Sequence, residues 1–206
     1  MKHVCTLLSA TLIFTAAALS AEDVKPAAPP SRCILLVNAA ELPAAQMEEI
    51  RNFAETDLNV PVKATELKAD WATLPNQAAA LLSPENKVVV VLGKTPGAIR
   101  ILSAPDNGWA VVNVAPVLSL KDKQAHMLKQ QAFRGIGYAL GLATCLDLHC
   151  CLRISQTVLD LQDAGCNFCP LSRRDYDNLI IQKSLCPVST DSVKPRKAKP
   201  AAPPAP

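Results

Sequence analysis

Apolar residues follow two rhythms along this chain. CILLVN (33–38) and KVVVVLG (87–93) are continuous apolar runs with polar flanks, the pattern of buried strands. VPVKATEL (60–67) alternates in part and reads as another strand. AIRILSA (98–104) and GWAVVNVAPV (108–117) are two more, divided by the turn PDNG. Elsewhere the period is helical. In LPAAQMEEIRNFAETDL (42–58), Met47, Ile50, Phe53, Ala54 and Leu58 share one face, and Pro43 suits the first turn. NQAAALLS (76–83) is a short helix, and the longest helix runs from about Lys121 to Leu140. SRRDYDNLIIQKSL (172–185) is a last amphipathic helix. Strand, helix, strand, helix, strand, strand and then helices predict an α/β fold with a mixed sheet. No segment repeats.

Both ends break the pattern. Lys2 and His3 precede an apolar run from Leu7 to Leu19, and small residues follow at Ser20 and Ala21. Residues 1–21 therefore read as a secretory signal peptide, too short for a membrane span and with no second apolar run after it. EDVKPAAPPS (22–31) is a linker, 32–186 a single domain, and 187–206 a Pro/Ala/Lys tail unable to bury enough apolar area to order itself. The expectation is export, to a periplasm or outside the cell, with no transmembrane anchor.

Charge adds little. Four cationic residues against Asp191 leave the tail at +3, while Glu22 to Thr190 holds 16 Lys and Arg against 17 Asp and Glu. The basic character sits in the tail. With eight aromatic residues in the chain and no basic patch among them, nothing points to nucleic acid.

The chemistry concentrates in FRGIGYALGLATC (133–145), which reads as a helix end, a glycine stop at Gly141 and a turn into Cys145. Gly135 and Gly137 are odd there, because glycine inside a helix costs about 1 kcal/mol relative to alanine. Either they reflect drift after loss of catalysis, or a neighbouring backbone or a bound peptide approaches the helix closely. After them, Cys145, Cys150, Cys166 and Cys169 form C-x4-C and C-x2-C, a zinc-like spacing. In an oxidising compartment the same cysteines form disulfides. Both states remain open, as does a bridge from Cys33 to Cys186.

From Cys33 to about Leu185 the chain resembles the archaemetzincins, a metzincin-type zinc peptidase family. The family pattern is His-Glu-x-x-His-x-x-Gly-x-x-His-Cys, four residues, Cys, a Met two residues on, and later Cys-Pro-x-Cys. Here RGIGYALGLATC, LDLH, CCL and CNFCPLSRRDY stand in that order. ILLVNAAELPAAQMEEIRNF resembles the opening strand and helix, and GWAVVNVAPVLS the strand before the active-site helix. The resemblance implies a metzincin-like mixed sheet, an active-site-type helix and a cysteine-stapled C-terminal helical part.

It places the three zinc ligands on Arg134, Tyr138 and Thr144, the general base on Gly135 and the turn methionine on Leu152. All five differ. Two imidazoles at i and i+4, a third after a glycine turn and a neighbouring carboxylate make a hydrolytic zinc site. An arginine repels zinc and a glycine carries no base. His126 and His149, the remaining histidines of the exported chain, read as surface residues. The expectation is a pseudopeptidase without catalytic zinc. Its cleft, with Trp109, Arg134 and Tyr138, could take an extended peptide beside the GWAVVNVAPV strand, where Arg134 favours a carboxylate. The competing expectation is a zinc-dependent metallopeptidase with a rearranged site.

The resemblance also implies one structural zinc on four cysteines. Cys145, Cys150 and Cys169 match three of them; the fourth position is Ser172, and Cys166 is the candidate replacement. A Cys145–His149–Asp147 nucleophile is disfavoured by the structural role of Cys145 in the family. Redox chemistry at CNFC is disfavoured because the motif does not open a helix after a strand.

Overall fold

A computed structural model describes residues 32–185 apart from 99, 121 and 156. The expected signal peptide, linker and tail lie outside the described residues, as does Cys186. Among the described residues no helix is long and apolar enough to cross a membrane.

Five strands form one sheet: β1 (Cys33–Ala39), β2 (Val62–Glu66), β3 (Asn86–Gly93), β4 (Ile101–Ala104) and β5 (Trp109–Asn113). Their order is β2-β1-β3-β5-β4. All neighbours are parallel except β4, which runs antiparallel to β5 on one edge. The continuous apolar runs are the central strands, as burial on both faces requires. One face presents Ile34, Leu36, Val88, Val90, Ala110 and Val112 to the main core. The other presents Leu35, Val37, Val89, Val91 and Val111 to a smaller core with Leu74 and Ala78.

The helices are α1 (Ala44–Leu58), α2 (Leu74–Ala80), α3 (Ala115–Leu118), α4 (Gln124–Leu140), α5 (Val158–Gln162) and α6 (Pro170–Gln182). In α1, Met47, Ile50, Ala54 and Leu58 are buried as the spacing predicts, and Pro43 caps the helix from just outside. Two expectations are corrected. GWAVVNVAPV does not stay extended: the Asn113 side chain bonds Thr95, Ala98 and Ala115, ending β5, and Pro116 enters the first turn of α3. The short α5 was not foreseen, although a capping box between Thr157 and Asp160 starts it.

α4 lies against β3 and β5, and its glycines fit that close packing. A Cβ on Gly135 would sit 2.6 Å from Val90 Cγ1 and 2.8 Å from Val112 Cγ2. A Cβ on Gly137 would sit 2.7 Å from Leu152 Cδ2. The expected close approach by a backbone or a peptide is corrected: valine side chains of the sheet crowd Gly135, and the ends of the Leu152, Phe168 and Leu142 side chains lie against Gly137.

A chain of rings ties the cysteine-rich segment to this layer. Phe53, Phe133, Phe168 and Tyr176 follow one another with centroids 5.0, 5.6 and 5.5 Å apart. Tyr176 is fully buried, and its hydroxyl donates to the Leu58 carbonyl at the end of α1, 3.0 Å away. Tyr176→Phe leaves that buried carbonyl short of a donor. It is expected to lower stability by about 1 kcal/mol in urea denaturation.

Candidate functional site

The site begins where α4 stops. Gly141 adopts φ 97°, a left-handed cap, and Leu142 N–H bonds the Gly137 carbonyl at 2.8 Å. This turn delivers the chain to Cys145, whose N–H bonds the Leu152 carbonyl. Cys151 N–H bonds Asn167 and Gly165 N–H bonds His149, closing the loop onto the approach to α6. Gln130 in α4 pins the same segment, its side-chain amide facing the carbonyls of Leu161, Ala164 and Gly165.

Within this frame the sulfur atoms of Cys145, Cys150 and Cys169 lie within 4.8 Å of one another. Cys145 and Cys169 are 3.6 Å apart, beyond bonding distance, and all six described cysteines are unbridged. Ser172 Oγ completes the group, 3.6 Å from Cys150 Sγ and 3.4 Å from Cys169 Sγ. Donation from the Cys151 thiol, then from the Cys169 and Leu152 N–H groups and Ser172, lowers the Cys150 pKa to about 4. Burial raises Cys145. The donor set suits a soft or borderline ion: three thiols converge and a hydroxyl lies beside two of them. These residues could hold a metal ion.

Cys166 stands apart from that group. Its Sγ lies 3.3 Å from His126 Nδ1, and burial raises its pKa to about 11. The hydroxyl of Ser172, not the thiol of Cys166, faces the other three. His149 is exposed, and Asp147 Oδ1 accepts from its backbone N–H, so Cys145, Asp147 and His149 form no relay.

Two of the three positions that the resemblance gives to zinc ligands share a cavity, and the third lines another. Arg134 and Tyr138 line a cavity of about 250 Å³ with Ile101, Ser103 and Ser155. Thr144 is exposed and lines a different hollow, of about 560 Å³, beside Cys145 and Cys169. Trp109 joins neither: β5 alternates, so Ala110 and Val112 face α4 while Trp109 packs on the opposite core. Arg134 is 4% exposed, and among the described residues its Nε and Nη1 have no hydrogen-bond partner. Burial lowers its pKa, opposed by Tyr138, Cys151 and Cys150; no carboxylate is among the groups acting on it. Burial likewise raises Tyr138.

The sequence matches no protein-family model and no curated protein. Solved structures do match. An archaemetzincin from Methanopyrus kandleri superposes with a TM-score of 0.62 at 17% identity, over 73% of this chain and 96% of that one. The fold is archaemetzincin-like. An archaemetzincin from Archaeoglobus fulgidus complexed with malonate matches with a TM-score of 0.55 at 17% identity, over 69% and 98% of the two chains. A zinc-dependent peptidase from Methanocorpusculum labreanum gives 0.56 at 14% identity, over 69% and 99%. The archaemetzincin-like domain thus spans nearly the full length of each relative, on a mixed sheet backed by α1 and α4.

Proposed function

We propose that this chain is an exported, archaemetzincin-like pseudopeptidase that keeps one structural zinc and binds a peptide or protein partner without cleaving it. The observation that carries this reading is Gly135. The resemblance puts the general base there, and any side chain at 135 meets Val90 and Val112. A buried arginine one residue earlier, where the first zinc ligand would stand, adds a charge that repels a second metal. Cys145, Cys150 and Cys169 would hold the structural zinc, with the Ser172 hydroxyl beside them. Peptide docking beside β5 is corrected by the strand order, since β5 lies between β3 and β4. Among the described residues β4 pairs only with β5, so its outer edge is the place for strand addition.

A second reading is a zinc-dependent hydrolase with a rearranged site. It is favoured by the 560 Å³ hollow that reaches Cys145, Cys169 and Ser172 beside Asp147 and Asp175. One assay separates the two. Purified chain from residue 22 onward is incubated with a mixed peptide substrate, with and without chelator. No chelator-sensitive cleavage is expected. Cleavage lost in Arg134→Ala would contradict the pseudopeptidase, and cleavage lost in Cys169→Ala instead would move the chemistry to the cysteine centre.

A further inference from the structure

We infer that the cavity over Arg134 is a carboxylate-binding subsite, taking a carboxylate carried by an extended peptide on the free edge of β4. This rests on the partner-binding reading above and names the chemistry of the ligand. Three observations carry it. Arg134 is almost wholly buried and, among the described residues, its Nε and Nη1 are unpartnered and only the neutral Tyr138 hydroxyl hydrogen-bonds to the guanidinium, a costly state for a cation unless an anion completes it. Among the described residues lining the cavity Arg134 alone is charged; the others are the hydroxyl-bearing Tyr138, Ser103 and Ser155, and Ile101. One cation among hydroxyls matches a monoanion; a phosphate dianion would leave excess buried charge. The groups of potential negative charge acting on it, Tyr138, Cys151 and Cys150, include no carboxylate, and Cys150 belongs to the group that could hold a metal ion.

The cavity also has a direction. Ile101 and Ser103 alternate along β4 and line it, so a strand added to the outer edge of β4 lies beside its mouth. Such a strand turns every second side chain, or its own terminus, toward α4. About 250 Å³ accommodates a carboxylate and a short stem. A carboxylate there would accept from the guanidinium and from the Tyr138 hydroxyl.

The experiment reads the Arg134 Nε–Hε signal by ¹⁵N NMR on the chain from residue 22, assigned by Arg134→Lys. Acetate is expected to move the signal saturably and acetamide to leave it in place. N-acetyl-trialanine is then compared with its C-terminal amide, and acetyl-Ala-Glu-Ala-amide with its glutamine counterpart. The carboxylate member of at least one pair is expected to bind about tenfold more tightly. The first pair reports a terminus, the second a side chain. Tyr138→Phe is expected to weaken the preferred carboxylate several-fold without affecting the amides, and it remains informative if Arg134→Lys does not fold. A signal that no carboxylate moves, or equal binding within both pairs, overturns the subsite. Cleavage of the peptides in the same samples would instead overturn the pseudopeptidase.

Discussion

Gly135→Glu is expected to destabilise the chain by more than about 3 kcal/mol, read as a fall in the urea midpoint. Two costs add. The first carbon of the new side chain would lie within 2.8 Å of methyl groups on both Val90 and Val112, in the fully buried contact between α4 and the sheet. Valine is stiff at χ1, so neither methyl can swing away cheaply. The carboxylate would then be forced into the apolar contact between helix and sheet. Gly135→Ala separates the terms. Alanine gains about 1 kcal/mol of helix propensity but overpacks the same contact by about 1–3 kcal/mol, so a net loss is expected. An unchanged midpoint for the glutamate variant would mean that α4 can ride away from the sheet and that this position could still host a base.

Cys169→Ala is expected to release the bound metal and lower the melting temperature of the zinc-loaded protein by roughly 10 °C. Cys169 has two roles. Its sulfur is one of three that converge, and it also caps α6, accepting from Ser172 N–H at 3.5 Å. Chelator added to the wild type should reproduce most of the fall, and chelator added to the variant should change little. If the variant melts with the wild type while zinc is present, the cluster does not hold the fold together.

Much of this was legible in the sequence because burial imposes a period. Runs such as CILLVN and KVVVVLG have no polar face, so they had to be central strands. Met47, Ile50, Ala54 and Leu58 had to share a helix face. Local patterns carry no such information about tertiary placement. Trp109 looked like a cleft residue, but one step along a strand reverses the face. GWAVVNVAPV looked like a docking edge, but β4 returns antiparallel and covers it. Cys166 seemed the natural fourth ligand by residue type. Helix geometry favoured Ser172 instead: Cys169 caps α6, and residue 172 stands one turn on, next to its sulfur. The charge on Arg134 was readable, whereas its burial without a carboxylate needed the packed helix.

Zinc content decides the central claim. Elemental analysis of the chain from residue 22, purified without chelator, is expected to give one zinc per chain. That zinc should be lost in Cys169→Ala and kept in Arg134→Ala. Two zincs per chain, with one lost on replacing Arg134 or Tyr138, would contradict the account.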